Sequence, residues 1–385
     1  MGKYYRLGDL AEIGRGSSPR PITDQRYFVN GDIPWIKIAD ATASGKYIYK
    51  TREYVNEYGA SYSRKLKRNS LIIAASGTLG FPKFLGTEGC IHDGWMYFSN
   101  IKEDILNRDY LYYCLITLNG YFNNLSYGAA IQNINTPIVK NTKVFLPDLK
   151  IQSTIASILS AYDDLIENNN RRIKILEQMA ENLYKEWFVR FRFPGHEQAE
   201  FENGIPKGWE IRRFSDNIAK ITAGGDRPEV YSPYKSDICT VPIFSNGTDD
   251  YGLYGYTNHP KIYEESVTVS ARGTVGYVCL REEPYVPIVR LLSLVPVDKE
   301  ISAKFIYYAL KTDCIEGNGT SQQQMTVPMF GRKKILIPDR KLIAKFTAIV
   351  DDLFSLRRNH MIANQNLTKQ HDLLLPRLMS GKLEV

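Results

Sequence analysis

Apolar residues recur at alternating steps of three and four through 147–191: Ile155, Ile158, Tyr162, Leu165, Leu176, Met179, Leu183 and Trp187. That is the period of a helix, and no Pro or Gly lies between Gln152 and Phe193 to stop one. The polar NNN at 168–170 interrupts the stripe without shifting its phase. At about 1.5 Å per residue, roughly 40 residues make a helix about 60 Å long. A second run closes the chain with Leu342, Phe346, Ile349, Leu353, Leu356, Leu367, Leu374 and Leu378. Stripes so long and narrow need a helix to cover them, so the two runs are expected to pair as a coiled-coil-like rod. Leu159, Ile166, Ile173, Ile175, Ala180 and Phe188 add apolar area beside the first stripe. Two helices cannot cover all of it, which predicts a further protein partner along the rod.

The remaining pattern is written twice. LGD at 7–9 is answered by FSD at 214–216, and DIPWI at 32–36 by TVPIF at 240–244. LIIAASGTLG at 71–80 returns as VTVSARGTVG at 267–276, and YLYY at 110–113 as FIYY at 305–308. QNINTP at 132–137 returns as QQMTVP at 323–328, and VFLPD at 144–148 as ILIPD at 335–339. Matches in one order, with an offset that shrinks along the chain, indicate two copies of a globular unit followed by a long helix. The short apolar runs 71–75 and 267–270 end at a Gly turn and read as strands, as do 290–297 and 333–337. Helical spacing marks 108–118 and 303–311. The fold class is therefore α+β, with two similar mixed α/β domains and an internal pseudo-twofold repeat. The boundaries expected are 1–147 and 210–338 for the domains, 148–192 and 339–385 for the helices, and 193–209 for a Gly-, Pro- and charge-rich linker.

The 385 residues suffice for two domains, and a formal charge of +7 suits a polyanionic partner without demanding one. The five cysteines stand singly, with no metal-ligand spacing, as in a reduced intracellular protein. There is no signal-peptide core and no run of 18 apolar residues, so a soluble cytoplasmic protein with no membrane partner is expected.

No phosphate loop, dinucleotide fingerprint or amino-methyltransferase motif occurs. Asp148 and Asp339 follow a Pro at the mouth of a long helix, where a carboxylate caps free amides better than it serves a nuclease. His92, His196, His259, His360 and His371 lack Cys or carboxylate companions at ligand spacing and read as solvated or packing residues. DNA-binding chemistry is more promising. Arg15, Ser17, Ser18, Arg20 and Arg26 in the first copy, and Lys220, Arg227, Tyr231, Tyr234 and Lys235 in the second, interleave cations with hydroxyls. Arg64, Lys65, Lys67 and Arg68 form the densest basic run. The Gly turns carry Thr78 and, in the twin, Arg272 and Thr274, where backbone can approach a phosphate or base. The amide-rich stretches hold Gln132, Asn133 and Asn135, then Gln322, Gln323 and Gln324, and such amides can pair bidentately with adenine.

These features resemble the specificity subunit of type I restriction–modification systems over essentially the whole chain. The resemblance rests on the doubled architecture, on PDLKIQSTIASIL at 147–159 and NNNRRIKILE at 168–177, on Trp187, Phe188 and the FRFPG exit at 191–195, and on LLPRLMSGKL at 374–383. It implies that each domain is a target recognition domain reading one half of a split, asymmetric sequence in double-stranded DNA. It also implies that the helices pack antiparallel as a ruler between the halves. The helical residues Leu159, Ile166, Ile173, Leu176, Leu183, Trp187, Phe188, Leu353, Leu367, Leu374 and Leu378 would then meet partner proteins. The resemblance further implies two modification subunits carrying S-adenosylmethionine, and restriction subunits using ATP and Mg. This chain would hold no cofactor, no metal and no catalytic residue. One departure is the spacing from Asp339 to Asp352, shorter than from Asp148 to Asp164, so the copies need not match there. A stand-alone tandem-domain regulator and a fused methyltransferase or nuclease are the competing classes.

Overall fold

The structure is a computed structural model that describes residues 2–42, 44–77, 79–125, 133–313 and 324–385. The chain divides into two compact units, Met1–Arg171 with His360–Val385, and Arg172–Asn359. The division cuts both long helices, so each unit is a domain plus the start of its own helix and the end of the other. The boundary expected between domain and helix does not mark a break in packing. In the first unit one continuous core joins Leu71, Ile73 and Tyr113 of the domain to Ile155, Leu159, Leu375 and Leu378 of the helices.

In the first unit, Lys3–Arg6 pairs antiparallel with Lys143–Leu146 and closes the domain end to end. A five-stranded sheet runs in the order Glu12–Arg15, Trp95–Ser99, Leu71–Ala74, Pro82–Leu85, Tyr47–Ile48. Against a second sheet, Ile33–Ile36 lies parallel to Gly89–Ile91. The second unit repeats this plan. Glu210–Arg213 pairs with Lys334–Ile337, and a sheet runs Ala219–Ala223, Leu292–Pro296, Ser266–Val269, Val278–Arg281. Val241–Phe244 lies parallel to Val286–Pro287. The first unit's edge strand Tyr47–Ile48 extends a sheet that stays four-stranded in the second. The expected strands and helices are found within a residue or two of their predicted places, with Arg108–Thr117 and Ala303–Thr312 as the domain helices.

The first long helix spans Leu149–Tyr184 and ends in a π-helical turn, Lys185–Val189, after which Phe191 takes a left-handed φ of 56°. The second spans Arg340–Met379. Within the first unit, Asn169 donates to Asn364 at 2.9 Å and Asn364 donates to Asn170 at 2.9 Å, so the polar NNN gap is an amide clasp. Further along, His371 lies 3.9 Å from Asp163. Numbers rise on one helix as they fall on the other, which is antiparallel packing. The second unit behaves alike, with Glu177 beside Arg357 at 3.2 Å and Tyr184, Trp187 and Phe188 around Phe346. As expected, Asp339 caps its helix, accepting from the Lys341 N–H at 2.6 Å. The 193–209 stretch is folded rather than loose: Phe201–Glu202 and Ile205–Pro206 form a hairpin, and the rings of Phe191, edge-on, and Phe193, tilted, pack on Trp209.

Candidate nucleic-acid interface

In the first unit the sheet delivers Arg15 at a strand end. Its Nε donates to the Asp93 carbonyl at 2.8 Å and its Nη2 to the Asn133 Oδ1 at 3.3 Å. Asp93 follows Gly89–Ile91 in a turn, and its carboxylate pairs with Arg20. Its N–H donates to the Ser18 hydroxyl at 3.2 Å, while Ser63 donates to the Ser17 carbonyl at 2.6 Å. Asn133 arrives by a bridge to Ser76, and the Ile134 N–H donates to the Ala75 carbonyl at 2.9 Å. Thus Arg15, Ser17, Ser18 and Arg20, Asp93, Ser76 and Asn133 come from four separate stretches to one place. Beside the cluster Gly14 leaves room for the Tyr97 ring, from which a Cβ there would lie 2.4 Å. Arg64 sits 5.6 Å over that same ring.

The rest of the basic run scatters. Lys65 pairs with Glu88 at 3.1 Å, and that bond raises its pKa. Lys67 is exposed, while Arg68 lines a cavity of about 340 Å³ with Tyr47, Tyr49 and the helical Asp164, Glu167 and Arg171. Arg26 folds back onto Asp24, which lowers the Asp24 pKa, so this cation is already neutralised. Asn135 does not face the cluster as an open amide: its Oδ1 accepts from the Ile138 N–H at 3.0 Å and caps the helix Thr136–Asn141. That fixes its physical role as a helix cap, the role Thr326 takes in the twin.

The second unit builds a counterpart differently. The Met325 N–H donates to the Ala271 carbonyl at 3.0 Å, the same latch as Ile134 to Ala75. The preceding Gln324 Oε1 accepts from Arg272 Nη2 at 3.1 Å. Gly77 and Gly273 hold the two turns with φ of 71° and 67°, where a side chain would be strained. Thr274 is exposed on its turn. Arg227 lies 4.7 Å over the Tyr231 ring, which packs on Tyr254 at 5.5 Å. Tyr234 is 79% exposed and Lys235 is exposed beside it, while Lys220 projects from Ala219–Ala223. Thr78, Gln132, Gln322 and Gln323 lie outside the described residues.

Sequence reading missed Asp93, Tyr97 and Tyr254, whereas Ser76 opens the Gly turn it singled out with Thr78. Of the three missed, only Asp93 carries a signal, the Asp93-Gly94 turn. Three of the histidines also sit beside the carboxylate of the next residue. His92 lies 3.0 Å from Asp93, His196 3.5 Å from Glu197 and His371 3.1 Å from Asp372. Burial lowers the His92 pKa, against the pull of Asp93.

The helical residues need correction. Leu159, Trp187, Phe188 and Leu378 are buried in the two cores and cannot offer their side chains to a partner. The reason is that each domain packs onto the stripe that the pattern had assigned partly to other proteins. Ile166, Ile173, Leu176, Leu183, Leu353, Leu367 and Leu374 are half-buried. On the two long helices the large apolar side chains left open include Leu149, Ile151, Leu165, Met361, Ile362 and Leu373 in the first unit and Ile175, Met179, Ile349 and Leu356 in the second. Among the described residues no helix is long and apolar enough to cross a membrane.

Comparison with known proteins agrees with this doubled plan. The type I restriction modification DNA specificity domain matches twice, at residues 3–178 and 206–363. The chain is 28% identical to the type I restriction enzyme MjaIX specificity subunit of Methanocaldococcus jannaschii, over 99% of this chain and 93% of that protein. It is 25% identical to the HindI specificity subunit of Haemophilus influenzae, over 73% of this chain and 79% of that one. The crystal structure of a type I restriction–modification S subunit from M. genitalium superposes with a TM-score of 0.60, at 15% identity, over 98% of this chain and 96% of that one, which supports the fold. Two matched domains, one in each unit, establish that this chain belongs to the type I restriction–modification DNA specificity family.

Proposed function

We propose that each unit reads one half of a split, asymmetric double-stranded DNA target, and that the two helices fix the unread gap between the halves. In this reading two modification subunits bind through the open apolar helix residues and supply S-adenosylmethionine for adenine methylation. Restriction subunits add ATP- and Mg-dependent cleavage, and this chain contributes recognition without catalysis. The observation that carries the reading is the repetition of one strand order, with an exposed arginine–amide contact at the same latch in both copies. One reader would recognise one short stretch, whereas two on a stiff helical support recognise a spaced pair. Phosphate contacts from Arg64, Lys67, Lys220 and Lys235 would fix register without specifying bases.

The test is a domain exchange in cells that also carry the modification subunits. Replacing residues 1–147 by the equivalent domain of a relative should change one half of the methylated sequence and leave the other intact. A change in both halves, or in neither, sinks the reading. One heptad inserted into both helices should lengthen the unread gap without altering either half.

A further inference from the structure

We propose that Arg15 with Asn133, and Arg272 with Gln324, are the two base-reading couples, each facing a purine edge in the major groove of its half-site. This deepens the proposed function and rests on it. The two amides occupy equivalent places: each precedes a residue whose N–H is latched to a strand-end carbonyl, Ile134 to Ala75 and Met325 to Ala271. The arginines do not occupy equivalent places. Arg15 ends the strand Glu12–Arg15, whereas Arg272 stands in the turn after Ser266–Val269. Two different routes therefore bring a guanidinium to the same amide, which an inherited backbone contact alone does not explain.

The chemistry of the couple follows from donor inventory. A guanidinium only donates, so it turns the amide oxygen toward itself and the amide NH2 away. What remains is a set of donors: the unused guanidinium N–H groups and the amide NH2. Guanine presents two major-groove acceptors, O6 and N7, and adenine presents N7. A donor set matches guanine at both positions and adenine at N7 alone, beside its N6 amino group, and it leaves a cytosine N4 amino group facing another donor. All four side chains are exposed, and neither arginine has a carboxylate partner among the described residues. Arg20, Arg26 and Lys65, by contrast, are each paired with an acid and are poorer candidates for base contact. The Asp93 carbonyl also holds Arg15 in place before any ligand arrives.

The experiment maps methylated sequences in cells expressing the full chain with its modification subunits. Asn133→Asp and Gln324→Glu are close to isosteric and keep an acceptor toward the arginine, so folding is preserved. They replace the NH2 donor by an acceptor. Each should lower discrimination for the purine at one base pair of one half-site, roughly 5- to 150-fold, and raise tolerance of cytosine there. Arg15→Ala and Arg272→Ala should relax the same base pair as their partner amide. Unchanged sequence preference in the amide variants overturns the proposal. So does a uniform fall in methylation with the same preference, the signature of a phosphate contact. If the domain exchange alters one half-site while these variants alter none, the couples are refuted and the two-reader function stands. If the exchange also changes nothing, that function fails.

Discussion

The two units solve one packing problem with opposite chemistry. Counting from Pro147 and Pro338, Gln152 and Ile343 hold the same place at the seam between domain and helix, and both are fully buried. Gln152 satisfies itself, donating to the carbonyls of Ile105 and Pro147 and accepting from the Asn107 N–H at 2.9 Å. Ile343 packs in an apolar core. One helical stretch further on, the Tyr113 hydroxyl donates to Asp163 at 2.6 Å, where the second unit places the rings of Tyr308 and Phe354 6.5 Å apart. Ser160 accepts from Lys46 at 2.8 Å, with Asp109 3.1 Å from the same ammonium. The corresponding Asp351 pairs with Lys304, which stands where the first unit has Asp109. Polarity changes between the seams, because a polar group can replace an apolar one at a buried seam when it finds partners. The spacing difference between the Asp pairs has the same origin: Asp351 corresponds to Ser160, so those pairs are not equivalents. A domain is therefore best exchanged together with the helical stretch it packs on.

The largest effect should come from breaking the apolar seam. Phe346 is fully buried and meets Tyr184, Phe188, Phe305 and Tyr308. Phe346→Ala is expected to cost about 3–5 kcal/mol. Hydrogen exchange should then speed up in Ala303–Thr312 and leave Arg108–Thr117 protected. Equal loss of protection in both helices would show that the two seams are not separate cooperative units.

The buried ammoniums come next. Lys304→Met leaves Glu265 and Asp351 without their cation, at side-chain exposures of 35% and 53% that let water compensate in part. A loss of roughly 1–3 kcal/mol follows. Lys46→Met should cost less, about 1 kcal/mol, because one partly exposed carboxylate, Asp109, remains beside hydroxyls rather than two carboxylates, and the new side chain still packs on Tyr112 and Tyr113. Urea titrations of both variants, with Asp351→Ser added to the first, test the order. Asp351→Ser should recover part of the Lys304→Met loss.

Alkaline pH should act on the two units through different groups. Lys83 in the first unit stands opposite Ile72, as Cys279 in the second stands opposite Thr268. Burial lowers Lys83 to about 8, below the ordinary range of a lysine. Between that value and the unfolded one near 10.4 the unfolded chain binds more protons at this site, so Lys83 adds stability to the first unit as pH rises, by roughly 1–3 kcal/mol. The buried thiols of Cys90 and Cys114, both raised by burial, work against it in the same unit. Burial raises the Cys279 thiol too. Its folded form keeps a proton that the unfolded chain releases above about 8.5, so Cys279 removes stability from the second unit over the same interval. In hydrogen exchange at pH 8 and pH 10, corrected for intrinsic rates, Lys83→Met should turn the trend of the first unit downward relative to the parent, and Cys279→Ala should turn that of the second upward.

Much of this architecture was legible because it is periodic or repeated. The helices declared themselves by stripe and by the lack of Pro and Gly, and the doubled plan by the matched segments ending in VFLPD and ILIPD. The site was less legible. Arg15 and Asn133 are far apart in the chain and meet through Asp93 and Ser76, whose turn signals do not say which distant residues they bring together. Asn135 looks like an open amide in sequence, yet a cap consumes its oxygen. The stripe showed that Leu159 and Trp187 are covered without showing by what. Periodicity reports that a face is buried, and only the fold decides whether a domain or a partner buries it.

The smallest expected difference separates two helix caps. Asn107 caps the first domain helix by accepting from the Tyr110 N–H at 2.9 Å, and Ser302 caps the second by accepting from the Phe305 N–H at 3.1 Å. Both also tie their helix to the long helix below, but with different atoms. Asn107 uses mainly its backbone N–H, held by Gln152, and that bond survives truncation of the side chain. Ser302 uses its hydroxyl, 2.8 Å from the Thr347 hydroxyl, and loses both contacts at once. Asn107→Ala should therefore cost about 0.5–1 kcal/mol and Ser302→Ala about 1.5–2 kcal/mol by urea denaturation. In a Thr347→Ala background, which gives the second unit the alanine the first unit has at Ala156, the Ser302→Ala cost should fall to that of Asn107→Ala. If the costs stay apart there, the tie to Thr347 is not what distinguishes the caps.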